Sequence, residues 1–89
     1  MKVRTHTFNK KKYTVYLGPL KGATDVSKNG SLEMLIRTSK MSDYDILDTI
    51  VHESLHACNW DASEMRVHKT ARDISRFLWR LGYRRGRSR

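Results

Sequence analysis

Apolar residues recur at every second position in several segments before residue 40, and at intervals of three and four beyond residue 42. The first pattern predicts strands and the second helices. Val3, Thr5 and Thr7 alternate with Lys2, Arg4, His6 and Phe8 in a weak strand pattern, and Asn9-Lys10 is placed to turn the chain. Tyr13-Thr14-Val15-Tyr16-Leu17 is a stronger strand, rich in β-branched and aromatic residues, and Gly18-Pro19 ends it; a hairpin between the two segments follows. Residues 18–31 carry Gly18, Pro19, Gly22, Asp25, Ser27, Asn29, Gly30 and Ser31 and read as a loop, with Asn29-Gly30 its sharpest turn signal. In the next strand, over residues 32–37, Leu32, Met34 and Ile36 share one face.

Ser42 is the expected N-cap of a helix from about Asp43 to Asn59, with acidic residues in its first turn. Leu47, Val51, Leu55 and Cys58 form one apolar stripe on it, extended on the far side by Ile46, Ile50 and Ala57. Asp45, Asp48, His52, His56 and Asn59 occupy the polar arc that remains. Trp60-Asp61-Ala62-Ser63-Glu64 reads as a break and restart: Asp61 and Glu64 have capping-box spacing, and Ser63 is a second possible cap. A second helix then runs to about Leu81 on Val67, Ala71, Ile74, Leu78 and Leu81, with Phe77 and Trp79 adding bulk and Gly82 stopping it. The expected fold is a small α+β domain of two or three antiparallel strands followed by two helices, the last strand packing on the first helix.

Composition changes this picture in three ways. Eighty-nine residues make one domain, here 1–83 with a basic tail at 84–89, whose modest core a bound metal would strengthen. A single cysteine, Cys58, rules out an internal disulfide and points to a reducing compartment, and a buried, inert thiol is its expected role. No run is apolar enough for a secretory signal or a bilayer span, so a cytoplasmic protein with no membrane partner is expected. The formal charge of +9 predicts attraction to polyanions.

The candidate chemistry lies inside the first helix, at His52-Glu53-Ser54-Leu55-His56. Histidines four apart project about 40° apart around a helix, so both imidazoles reach one ion, with zinc the first candidate. Glu53 would lie beside that ion, placed to take a proton from water. A zinc site that performs chemistry takes three protein ligands, so the third must come from outside the motif. Glu64, eight positions after His56, is the preferred third ligand if the chain reverses at Trp60-Asp61; its alternative role is to cap its own helix. His68, one turn further on, is the rival, and Asp61 a weaker candidate. Tyr44 and Tyr83 carry hydroxyls that nothing in the sequence places.

The runs Leu47–Ala57, Trp60–Glu64 and Ala71–Tyr83, about a third of the chain, resemble small zincin metallopeptidases of the kind found in phages and bacteria. The nearer analogy is with minimal gluzincins, in which a glutamate on the helix after the motif completes the site, and Glu64 matches that role. A partial likeness to SprT-like proteases, which act on DNA-bound proteins, would make His68 the third ligand. The resemblance implies a zincin-like metal-binding domain that hydrolyses peptide or protein substrates, in host cytoplasm if phage-encoded. It also implies that residues 32–37 correspond to the zincin edge strand, along which a peptide could lie by strand addition.

A second function class rests on Lys10, Lys11 and Lys12 and on Arg84, Arg85, Arg87 and Arg89, which suit non-specific nucleic-acid binding or an acidic partner. A third is a non-catalytic module, such as a small inhibitor of a host protein, that keeps the fold without turnover.

Overall fold

The computed structural model describes residues 2–18, 23–26 and 30–84. Within them the chain runs β1 (Lys2–Phe8), β2 (Lys11–Gly18), β3 (Ala23–Val26), β4 (Leu32–Arg37), α1 (Asp43–Cys58) and α2 (Glu64–Arg80). The α+β class and the order of strands before helices are as the pattern predicts. Asn9 and Lys10, at φ 48° and 67°, form the left-handed pair that a two-residue hairpin turn needs, and Phe8 faces Lys11 across it.

Two expectations about the sheet are corrected. It is four-stranded, in the order β1-β2-β4-β3, and mixed: β2 and β4 run parallel from Tyr13↔Leu32 to Gly18↔Arg37. The segment read wholly as loop contains β3, antiparallel to β4 with Ala23 opposite Leu35 and Val26 opposite Leu32. Four residues among glycines and polar groups give little local strand signal, and pairing with β4 supplies what propensity does not. Consequently β4 is an inner strand. β2 covers one side along its length and β3 covers the other over Leu32–Leu35, so β4 is not the free edge that strand addition requires.

One sheet face carries the core. Tyr13, Met34 and Ile36 are buried with Ala57 of α1, and Phe8, Val15, Leu17, Leu32 and Ile50 pack around them. Of the two apolar stripes on α1, the one through Ile46, Ile50, Glu53 and Ala57 lies against the sheet, with Ile46, Glu53 and Ala57 buried. The opposite side faces α2, where the rings of Tyr44 and Trp79 meet edge to face at 5.4 Å. α2 touches α1 and no strand among the described residues, so α1 is the middle of three layers. That explains why so much of its circumference is apolar. Cys58 is exposed at the last turn of α1, one position past Ala57, which takes the sheet-facing place there; the buried thiol is corrected.

Both helices begin on a serine. Ser42 Oγ accepts from the Asp45 amide and Ser63 Oγ from the Arg66 amide, each at 3.1 Å, so Ser63 and not Asp61 caps α2. Gly82, at φ 92°, ends α2: its amide donates to Trp79 O and that of Tyr83 donates to Leu78 O, the paired bonds of a left-handed helix stop.

Ser75 of α2 is 0 % exposed, and its Oγ has no hydrogen-bond partner among the described residues. A buried hydroxyl without a partner destabilises the fold. Ser75→Ala is therefore expected to stabilise by about 1 kcal/mol and raise Tm by roughly 4–8 °C. A lower Tm on thermal unfolding would mean that the hydroxyl is satisfied.

Candidate metal centre

Two contacts fix the reversal between the helices, and so the position of Glu64. Trp60 Nε1 donates to the hydroxyl of buried Tyr13 at 2.7 Å, and Asn9 Nδ2 donates to Cys58 O at 3.1 Å. Both tie the end of α1 to the β1-β2 hairpin. Within the turn, the Asp61 amide donates to Asn59 Oδ1 at 3.2 Å and the Ala62 amide to Asn59 O at 3.2 Å. After this turn Ser63 starts α2, with Glu64 in its first turn.

Glu64 arrives beside both histidines of the motif. Its Oε1 lies 2.6 Å from His56 Nε2 and its Oε2 lies 3.4 Å from His52 Nε2. One donor atom from each of the three falls within 4.8 Å of the others. The rings of His52 and His56 stand edge to face at 4.9 Å, as helical spacing predicts. The carboxylate is 72 % exposed and the imidazoles are partly buried, so the group opens to solvent on one side.

These residues suit a zinc ion. Two imidazoles and a carboxylate are the nitrogen and oxygen donors zinc accepts while keeping a position open. Tetrahedral coordination at about 2.0–2.1 Å places donors about 3.3 Å apart. The His52 to Glu64 distance of 3.4 Å meets that spacing. The 2.6 Å approach of His56 is a hydrogen bond, which widens by less than about 1 Å to admit an ion.

Burial pushes the Glu64 carboxyl up, but the hydrogen bond from His56 and the charges of His52 and His56 outweigh it, and its pKa lies below the ordinary value. A depressed carboxyl stabilises the fold above its ordinary pKa and loses that contribution as acid protonates it. At this exposure water screens most of the effect.

Glu53 is 7 % exposed and sits on the sheet-facing stripe of α1, with Ile50 and Ala57 one turn away and Ile46 two turns away. It lines a cleft of about 310 Å³ together with His52, Glu64, Asp48, Thr49, Met41 and Arg37. The cleft lies along the flank of α1, between the end of β4 and the start of α2.

The other candidates fall elsewhere. His68 is exposed and outside the group of three, its ring 6.2 Å from that of His52. Asp61 is likewise outside the group. Tyr44 packs on Trp79 and Tyr83 is exposed beyond α2, and neither lines the cleft. Lys10, Lys11 and Lys12 are exposed at the hairpin turn and the start of β2. Arg84 is engaged locally: its guanidinium lies 3.3 Å from the centroid of the Trp79 ring and donates to Trp79 O and Tyr83 O. Arg85, Arg87 and Arg89 lie outside the described residues.

Two of the cleft residues that the sequence does not assign to the site, Asp48 and Arg37, are ionisable. Asp48, one turn before His52, has a buried Oδ1 with no hydrogen-bond partner among the described residues. Its spacing of four from His52 is the signal that could have found it. Arg37 has no such signal, since only the packing of β4 on α1 brings it near the motif. Comparison with protein-family models, curated proteins and solved structures found no match.

Proposed function

We propose that this chain is a small zinc-dependent peptidase of the zincin kind, with His52, His56 and Glu64 holding the ion and Glu53 carrying the proton. The observation that supports this reading is the approach of Glu64, from a different helix, to the Nε2 atoms of both motif histidines beside a buried glutamate. Holding a metal does not require Glu53, yet its side chain lines the same cleft as His52 and Glu64.

Zinc, when bound, supplies the Lewis acidity that activates water and polarises a scissile carbonyl. His52 and His56 present neutral nitrogens from one face of α1, and Glu64 offsets part of the ion's charge. Glu53 accepts the proton of the attacking water at its carboxylate and returns it to the leaving amine. The low exposure of Glu53 keeps bulk water from competing for that proton. The inner position of β4 constrains the substrate: an extended peptide that pairs with the sheet on that flank does so along β3, the outermost strand there.

The reading is tested with a mixture of unstructured peptides as substrate and mass spectrometry as readout. Cleavage is expected with one equivalent of zinc, to stop on chelation and to return when zinc is restored. Zinc at 100 times its Kd should also stabilise the fold by about 2.7 kcal/mol, a rise in Tm of roughly 10–20 °C. Stabilisation without cleavage would leave a structural metal in a binding module, and neither effect would remove the metal reading.

A further inference from the structure

α2 is an outer layer, and its two sides differ in kind. Val67, Ala71 and Ser75 are buried on the side towards α1, with Leu78 half-buried. At 100° per residue, Arg66, Lys69, Arg72, Arg76 and Arg80 fall within an arc of roughly 120° centred opposite that stripe. All five are exposed, and none has a carboxylate within ion-pair distance among the described residues, where the ion pairs are those of Glu64 with His52 and His56. Asp73 is the one acidic residue in the arc.

A face that serves only to keep a helix in water gains from alternating signs, because like charges one turn apart repel. Here Arg72, Arg76 and Arg80 follow one another at intervals of four, and Arg66, Lys69 and Arg72 at intervals of three. The row extends from Arg66 to Arg80, fifteen residues and about 21 Å along the helix axis. Four of the five cations are arginines, whose planar fork binds phosphate oxygens in pairs. Because α2 touches no strand among the described residues, this side of the helix stands clear of the sheet.

We propose that the outer face of α2 docks on the phosphate backbone of duplex DNA, without sequence preference, and that it does so independently of the metal centre. Along about 21 Å, a DNA duplex presents roughly twelve phosphates, counting both strands. Its major groove admits a helix, whereas the deep, narrow major groove of duplex RNA does not. A membrane surface fits less well. The side of α2 opposite these cations, the Val67-Ala71 stripe, is already packed on α1, and the exposed apolar side chains Ile74, Phe77 and Leu81 lie beside the cationic arc instead of opposite it.

The test is fluorescence anisotropy of a labelled 20-base-pair DNA duplex against the full chain over a salt series, alongside an RNA duplex of equal length and anionic vesicles. Each neutralised phosphate contributes about 0.9 to the salt slope, so R72Q/R76Q/R80Q should lower it by about 2.7, with Tm unchanged. Glu53→Gln and metal chelation should leave DNA affinity as it was, which separates this proposal from the peptidase reading. No binding of DNA, equal binding of RNA, preference for vesicles or an unchanged slope in the triple variant would each overturn it. Loss of binding in R85Q/R87Q/R89Q with the helix variant unaffected would also overturn it, since the tail would then carry the contact.

Discussion

Glu53→Gln is expected to bind zinc with the wild-type stoichiometry, unfold near the wild-type temperature and hydrolyse peptides about 100- to 10,000-fold more slowly. The amide has nearly the shape of the carboxylate it replaces, so the sheet-facing stripe of Ile46, Ile50 and Ala57 keeps its packing. What it loses is the capacity to accept a proton. Since Glu53 is not among the three converging donors, the ion keeps all of its ligands. Metal analysis, thermal unfolding and peptide turnover on one preparation separate these effects. Full turnover in the variant would dismiss Glu53 as the proton carrier. Retention of a binding activity in the absence of any wild-type hydrolysis would place the chain in the non-catalytic class.

The second large effect concerns the third ligand. Glu64→Ala is expected to weaken zinc binding by more than the roughly 10- to 100-fold that a residue of the outer shell carries, because it removes a donor outright. His68→Ala is expected to leave affinity near the wild-type value. The distances motivate the contrast: Glu64 oxygens lie 2.6 Å and 3.4 Å from the two Nε2 atoms, whereas the His68 ring is 6.2 Å from that of His52. Titration against a competing chelator measures both variants. The reverse order of affinities would install His68 as the ligand and return Glu64 to helix capping. Glu64 is exposed, so its removal should cost the fold little in the absence of zinc, and a collapse of Tm in zinc-free buffer would point to a structural role.

The two predictions draw on different kinds of information. The pairing of His52 with His56 is a property of helical spacing and needs no neighbour. Their partnership with Glu64 depends on where α2 begins and on a turn held by Trp60 on Tyr13 and by Asn9 on Cys58, contacts that span 47 and 49 residues of sequence. A glutamate eight positions after a motif could equally have pointed away. The sequence did suggest Glu64, yet it kept His68 open, because the angle between two helices is not a local quantity.

What this sequence determined by itself is the short-range part of the structure. Ser42 stands where a helix starts, Gly82 where one stops and Asn9-Lys10 where a hairpin turns, since caps and turns depend on side chains a few positions apart, whereas the choice of Ser63 over Asp61 as the second cap came from the structure. The helix read to Asn59 ends at Cys58, with Asn59 as its cap. Tertiary structure decided the rest: the parallel pairing of β2 with β4, the strand β3 inside an apparent loop, the exposure of Cys58, the burial of Glu53 and the inclusion of Arg37 in the cleft. Each of these is a contact between segments distant along the chain. Its free energy comes from surfaces that meet only after folding, so no local spacing records it.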